Sequence, residues 1–407
     1  MIIQRAYKTE LDSNNEQTSL FRQYAGAARF VYNWALADRI ERYKDGQQST
    51  NIYEQRRRFN ALKHEQFPWL SDVAYKVVAE CFTNVDRAYQ NFFRYHKNGG
   101  RKMGFPRFKS RKHGLGAFTL RGNILVESNR IRLPRIGWVR LKEAGYLPCV
   151  GVKILSANIS EQAGRWFVSL QVEQEIPDLQ PRTDKVIGVD LGIKILVTCS
   201  NGKVFENPRI LTNATRQLRR AQRQLSRRTL RSANWYKARR KVARLYYRVA
   251  CIRKHVQHEI TNYLTVKTKP SVIVIEDLHV KGMLKNHHLA KSVSDASFGE
   301  LRRQLEYKAK WHGIQIITAD RFYPSSKRCS ACGSVKTLLK LSERQYVCEV
   351  CGAVIARDMN AAMNLAELAA KPAVAACGGN VRPAESGQFP VKQEPSTAVS
   401  VSLGGNP

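Results

Sequence analysis

Cys329-Ser330-Ala331-Cys332 and Cys348-Glu349-Val350-Cys351 are two C-x-x-C knuckles with fifteen residues between them. Four thiolates at that spacing can enclose one tetrahedral zinc ion, and a site filled by four protein ligands is closed and therefore structural. Gly333 and Gly352 directly follow the knuckles, where backbone dihedrals open to glycine let the sulfurs converge. A redox pair or four unligated thiols is the alternative, but paired knuckles at ribbon spacing favour the metal. The other cysteines, Cys81, Cys149, Cys199, Cys251 and Cys377, stand singly and read as structural. A disulfide framework is not called for in a 407-residue chain without a secretion signal.

Three carboxylates sit where a strand or helix should end. Asp190 follows the apolar run Val186–Val189, Glu276 follows Val272–Ile275, and Asp358 precedes the helical stretch Met359–Leu368. If all three converge at one sheet edge, their mutual repulsion is relieved by Mg²⁺, which prefers oxygen ligands. Two such ions about 4 Å apart activate water and stabilise the leaving oxygen in phosphodiester hydrolysis. Each acid also has a plainer use: Asp190-Leu191-Gly192 as a turn, Glu276-Asp277 as a solvated strand end, Asp358 as a helix N-cap. An Asp-x-Gly phosphate loop is a further option, for which no second glycine-rich loop is found.

Basic residues supply the third element. Lys and Arg number 68 against 33 Asp and Glu, a formal charge of +35 that calls for a polyanionic partner. From Arg216 to Lys254 fifteen cations occur without one acid, Arg216, Arg219, Arg220, Arg223, Arg227 and Arg228 among them, interleaved with Trp235, Tyr236, Tyr246 and Tyr247. A phosphate track explains this density better than solvation does. Tyr246 and Tyr247 could stack on bases or simply pack. A second acid-free stretch from Asn91 to Gly114 contains Arg107, Lys109 and Arg111 and is broken by Gly99, Gly100, Gly104 and Pro106, which predicts a basic loop. A membrane surface is the rival partner for a basic protein. No apolar run approaches the ~18 residues needed to span, however, and Met1–Asp12 lacks a signal-peptide core, so an intracellular, cytoplasmic location is expected.

The elements that must position these groups follow from periodicity. Ile2–Tyr7 predicts a short strand, and residues 11–95 carry helical spacing, with one helix beginning near Ser71. Between Ala117 and Glu175 the period becomes two, as in Trp166, Val168, Leu170 and Val172, which predicts a small antiparallel barrel or sheet. After a Pro-containing connector at 176–183 come buried strands at Val186–Val189, Ser271–Ile275 and Ile314–Thr318. These alternate with a helical pair over 213–256, broken at Ser232-Ala233-Asn234, and a helix over Asp295–Trp311, the pattern of an α/β sheet. Beyond Lys371 a Pro, Gly, Ser and Ala-rich stretch is expected to be a disordered tail.

Four blocks in order, Gly188-Val189-Asp190-Leu191-Gly192-Ile193, Ile273-Val274-Ile275-Glu276-Asp277-Leu278, Phe322-Tyr323-Pro324-Ser325-Ser326-Lys327-Arg328-Cys329 and Arg357-Asp358-Met359-Asn360-Ala361-Ala362-Met363-Asn364, resemble the transposon-encoded TnpB (OrfB-type) family, relatives of the type V CRISPR effectors. Tyr32-Asn33-Trp34 and Gly104-Phe105-Pro106-Arg107-Phe108-Lys109-Ser110 extend the resemblance toward the N-terminus. It implies a multidomain α/β plus β protein: a RuvC-like, ribonuclease-H-type nuclease over 181–324 and 353–370, with an inserted zinc ribbon at 325–352. A wedge-like β-barrel (1–10 and 100–180) with a helical recognition lobe inserted (11–99) precedes it. By motif match Asp190, Glu276 and Asp358 are the catalytic ligands of two Mg²⁺ ions, while Cys329, Cys332, Cys348 and Cys351 bind one zinc. Many members carry an acid two residues before the last catalytic Asp, a position held here by Ala356. The implied activity is RNA-guided cleavage of double-stranded DNA beside a short adjacent motif by a nucleoid-associated monomer, with guide RNA from the transposon end; a guided or plain DNA-binding regulator is the alternative.

Overall fold

In the computed structural model the opening strand β1 runs from Ile2 to Asp12, longer than the periodicity of its first six residues indicates. Residues 2–46, 51–98, 104–111, 114, 116–176, 183–340, 342–370 and 382–383 are described. They form two units, Met1–Gln180 with Ile210–Lys254, and Pro181–Arg209 with His255–Pro407.

In the first unit, α1 (Asn15–Lys44) starts at a capping box: Asn14 Oδ1 accepts from the Gln17 amide at 2.8 Å, and Gln17 Oε1 accepts from the Asn14 amide at 3.2 Å. There follow α2 (Ile52–Gln66), a 3₁₀ turn at Pro68–Asp72, and α3 (Tyr75–Asn98). The 3₁₀ turn moves the start of α3 from the expected Ser71 to Tyr75, and the first eight residues of the expected basic loop, Asn91–Asn98, are helical. Strands β2 (Ala117–Leu120), β3 (Leu125–Val126), β4 (Arg130–Leu133), β5 (Gly137–Leu141), β6 (Val152–Gln162) and β7 (Arg165–Glu175) join β1 in an antiparallel sheet ordered β2-β6-β7-β1-β5-β4-β3. Helices and sheet share one core: the Phe21 ring lies 5.1 Å from Trp166 and 6.2 Å from Phe118, and Tyr24 lies 5.2 Å from Phe118.

After β7 come β8 (Thr183–Leu191), β9 (Ile195–Cys199) and β10 (Val204–Glu206), then α4 (Ile210–Ser226) and α5 (Ala233–Asn262). Sequence places this helical pair within the nuclease stretch, but residues 210–254 group with the first unit, where Tyr247 packs 5.5 Å from Phe167 of β7. The break also falls earlier than expected, at 227–232, because Ser232 Oγ caps α5 by accepting from the Trp235 amide at 3.1 Å.

The second unit adds β11 (Pro270–Glu276), a single-turn α6 (Val280–Met283), α7 (His287–Ala296), α8 (Phe298–His312) and β12 (Gln315–Ala319). The hairpin β13 (Gln345–Val347) and β14 (Val354–Ala356) and helix α9 (Arg357–Ala370) complete it. The single helix expected over Asp295–Trp311 is two, because Ser297 adopts the left-handed conformation at φ 55° and ends α7. Strands β8, β11 and β12 run parallel, β9 pairs antiparallel with β8 and β10 antiparallel with β9, in the order β10-β9-β8-β11-β12 with β15 (Arg382–Pro383) at the edge. The disordered tail expected beyond 371 lies outside the described residues apart from that two-residue strand, which pairs antiparallel with β12.

The pleat sorts each parallel strand between two cores. Ile187, Val189, Ile273 and Ile275 pack with Phe298, Leu301 and Leu305 of α8, whereas Val186, Val272 and Val274 pack with Leu365 of α9.

Candidate active site and metal centre

That alternation carries directly into the acids. Val189 and Ile275 are register partners in the parallel β8–β11 pair, so the next residues, Asp190 and Glu276, lie side by side near the C-terminal ends of adjacent strands. Each also falls on the face opposite Val189 and Ile275, the α9 face. Asp358 lies in the first turn of α9, within the helix rather than as its N-cap, where the helix dipole favours a carboxylate. Close packing of α9 on β8 delivers it: a Cβ on Gly188, two residues before Asp190, would lie 2.0 Å from the Ala362 carbonyl oxygen.

Burial, then repulsion from Glu276 and Asp358, pushes the Asp190 carboxyl well above its ordinary value, with Arg357 opposing. Burial also raises Glu276, offset by a hydrogen bond from Ser325 Oγ to Oε1 at 2.6 Å and by Arg357. A half-buried acid cluster of this kind has the donor chemistry of a hard divalent cation site. Beside it, Asp277 is raised by burial but held below its ordinary value by Arg321 and Arg302, whose guanidinium nitrogens stand 2.5 and 3.3 Å from its oxygens.

The four cysteine sulfurs all lie within 4.8 Å of one another, and among the described residues they are the one group of three or more such ligands that close. Cys329–Cys351 and Cys332–Cys348 are 3.7 and 3.5 Å apart. A zinc–sulfur distance of about 2.3 Å in a tetrahedron requires roughly 3.8 Å between sulfurs, so the quartet fits that ion. The knuckles repeat one geometry: the amides of Gly333 and Gly352 donate to the carbonyls of Cys329 and Cys348, at φ +79° and +68°. Ser334 Oγ lies 3.1 Å from Cys332 Sγ and 3.2 Å from Cys348 Sγ, and its hydrogen bond is the main cause that lowers both thiols, Cys348 to about 5. Of the cysteines taken as structural, Cys81 and Cys199 are buried. Cys149 and Cys251 are exposed, and Cys377 lies outside the described residues.

Sequence inspection missed the connection between these two centres. Asn364 Nδ2 donates to the carbonyls of Ser325 at 2.7 Å and Arg328 at 2.6 Å, while Asn360 Nδ2 donates to Arg328 O at 2.6 Å and its Oδ1 accepts from the Ser330 amide at 2.9 Å. Arg328 also pairs with Glu367 at 2.7 Å. One face of α9 therefore clamps both the first cysteine knuckle and the serine that orients Glu276. Two asparagines four apart in a largely apolar helix were the available signal. Thr198, also missed, is the register partner of Asp190 on β9 and is buried, with no hydrogen-bond partner for its Oγ1 among the described residues.

In the first unit, Arg216, Arg219, Arg220, Arg223, Arg227 and Arg228 are all exposed, while Leu218 and Ala221 are buried on the opposite face of α4. A groove of about 820 Å³ on α5 is lined by Lys237, Arg240, Lys241, Arg244 and Arg248 together with Arg165 of β7. Tyr246 takes a hydrogen bond from Gln222 at 2.8 Å, and Tyr247 packs on Phe167. Arg107 and Arg111 are exposed. Lys109 is exposed as a residue too, but its ammonium sits 3.9 Å from the Tyr32 ring centre, and partial burial there lowers its pKa. Asn33 brackets the Lys109 backbone, donating to O at 2.9 Å and accepting from N at 2.7 Å, which explains why those two N-terminal blocks occur together.

Residues 169–287 match a family model described as "Probable transposase" of the OrfB/IS605 type, 298–365 match "Cas12f1-like, TNB domain", and 1–48 match "Helix-turn-helix domain". Over 1–48 the structure has a strand and one long helix. The chain is 36% identical to a Streptomyces pristinaespiralis protein named "Putative RNA-guided DNA endonuclease", covering 98% of each. It is 33% identical to the Escherichia coli K12 protein named "Putative RNA-guided DNA endonuclease InsQ", covering 98% of this chain and 99% of that one. The solved Cas12f1–sgRNA–target DNA complex matches in fold with a TM-score of 0.50 at 16% identity, over 87% of this chain and 83% of that one. With end-to-end relatives at this identity, and with its acids and cysteines inside the matched segments, the chain belongs to the OrfB/TnpB family.

Proposed function

We propose that this chain is an RNA-guided, Mg²⁺-dependent DNA endonuclease encoded by an insertion sequence, with Asp190, Glu276 and Asp358 as its catalytic carboxylates. The side-by-side ends of β8 and β11, with α9 bringing a third acid to the same edge, are the observation that carries it. Bound there, two Mg²⁺ ions would supply an activated water and charge stabilisation at the leaving oxygen. Asp190, Glu276 and Asp358 would hold the cations, Ser325 orients Glu276, and Arg357 offsets part of the negative charge. The mixed sheet with three central parallel strands fits a RuvC-like, ribonuclease-H-type domain, and the sulfur spacing fits a zinc ribbon inserted in it.

The first unit, in this proposal a wedge-like β-barrel with a helical insertion, grips guide RNA and target double-stranded DNA. Its exposed arginines on α4 and the basic groove on α5 supply sequence-independent phosphate contacts. Base pairing then reads the target, and cleavage next to a short adjacent motif supports maintenance of the element. The protein acts as a monomer in the cytoplasm at the nucleoid; among the described residues no helix is long and apolar enough to cross a membrane.

The test is Mg²⁺-dependent cleavage of a guide-matched plasmid library by protein copurified with its locus RNA, wild type against Asp190→Ala. Cutting by wild type alone supports the proposal. If neither protein cuts while both bind matched DNA, a guided regulator replaces it.

A further inference from the structure

Phe322 is 88% exposed, at the turn that follows β12. Single exposed apolar residues are ordinary on protein surfaces, so exposure alone says nothing. What sets this ring apart is how its loop is held. On one side Arg321 pairs with Asp277 at 2.5 Å, and on the other Ser325 donates to Glu276 at 2.6 Å. Both flanks of Phe322 are thus tied to the two consecutive acids that end β11, one of which is in the carboxylate site.

The turn between those anchors is itself fixed. Asp320 Oδ1 accepts from the Phe322 amide at 2.8 Å and Asp320 O from the Tyr323 amide at 3.1 Å, an Asx-type turn. Tyr323 points inward, packing against the core of Val274 and Leu365 and donating to Asn364 O at 3.2 Å. Of two adjacent aromatics, one is committed to the fold and the other is presented to solvent on a short loop anchored on both sides to Asp277 and Glu276.

We infer that Phe322 is a positioning residue whose ring stacks on a nucleobase of the DNA strand lying at the carboxylate edge, fixing the backbone on the acids; this rests on the nuclease proposal above. Every base offers a π-face, so a stacking platform holds a strand without reading its sequence, as a guided enzyme requires. Arg357, near enough to Glu276 to lower its carboxyl, adds positive charge at the edge where the phosphates of such a strand would lie.

The experiment compares wild type, Phe322→Ala, Phe322→Leu and Phe322→Trp as complexes with locus RNA. It reads single-turnover cleavage of matched DNA, melting temperature, and the fluorescence of 2-aminopurine placed at successive positions of the strand. Alanine should slow cleavage by on the order of tenfold, leucine nearly as much, and tryptophan should keep the wild-type rate, all with unchanged melting and DNA binding. In an Asp190→Ala background, 2-aminopurine at one position should be quenched by Phe and Trp and brightened by Ala. Wild-type rates for alanine, full rescue by leucine, or quenching indifferent to residue 322 each overturn the inference. A wild type that binds but never cuts defeats the nuclease proposal instead, and the fluorescence arm still decides the stacking.

Discussion

Gly188 of β8 and Ala362 of α9 touch through their backbones: a Cβ at 188 would lie 2.0 Å from the Ala362 carbonyl oxygen and 2.5 Å from the Ala366 amide nitrogen. Neither neighbour is a side-chain end that can swing away. Gly188→Ala must therefore lift α9, and Asp358 with it, off the strand that carries Asp190. The overpacking should cost about 1–3 kcal/mol and lower the melting temperature by several degrees, with cleavage reduced by more than tenfold. Wild-type melting and rate in this variant would mean that α9 can slide without consequence.

The electrostatics of Asp190 set a pH dependence. Its native carboxyl titrates well above the ordinary 3.8, because of burial and then its two neighbouring acids. Between those values the native state binds more protons than the unfolded one, so metal-free stability is fully present below the ordinary value and is lost as pH rises through the native one. Mg²⁺ competes with those protons. The rise in melting temperature on adding Mg²⁺ should therefore grow with pH, and should be small in Asp190→Asn at every pH. A Mg²⁺ increment independent of pH would contradict this coupling.

Cys332→Ser or Cys348→Ser should release zinc, measured by elemental analysis, and lower the melting temperature of the catalytic half, because the binding energy of a structural metal is folding energy. The α9 clamp extends the damage to the acids, since Asn360 and Asn364 hold Arg328 O and Asn364 also holds Ser325 O. Unchanged metal content and melting would dispose of the ribbon.

Ser325→Ala removes the hydroxyl that holds Glu276 Oε1 at 2.6 Å, a charge-assisted bond on the order of 1.5–3 kcal/mol. We expect cleavage slowed about tenfold or more, a higher Mg²⁺ requirement, and retained guided DNA binding. Asn364→Ala, which takes the Asn364 donor from the Ser325 carbonyl and leaves Arg328 O to Asn360, should add a loss of stability that Ser325→Ala does not share. If Ser325→Ala needs no more Mg²⁺ than wild type, the serine does not orient the carboxylate.

Replacing Arg219, Arg220 and Arg223, all exposed on α4, should weaken nucleic-acid binding without sequence preference. The dependence of log affinity on log salt should flatten by roughly 0.7–0.9 for each phosphate that is no longer neutralised. An unchanged salt slope would place the phosphate track elsewhere on the basic surface, with the α5 groove around Arg240 and Arg244 the next place to substitute.

Local pattern alone supplied the thiolate quartet, the buried strands, the acids near their ends and the acid-free helical stretch from Arg216 to Lys254, because each depends on near neighbours in the chain. Spacing within a knuckle and alternation within a strand are set by backbone geometry over a few residues. Contacts between distant segments decided the rest. That α4 and most of α5 group with the first unit follows from packing such as Tyr247 on Phe167, eighty residues apart, which no periodicity encodes. Lys109, one more cation in a basic stretch by sequence, has its ammonium over Tyr32. The carboxylate edge itself needs both levels. Sequence determined that Asp190 and Glu276 end apolar strands, but only the β8–β11 register makes them neighbours, and only the bare backbone at Gly188 lets α9 approach closely enough to add Asp358.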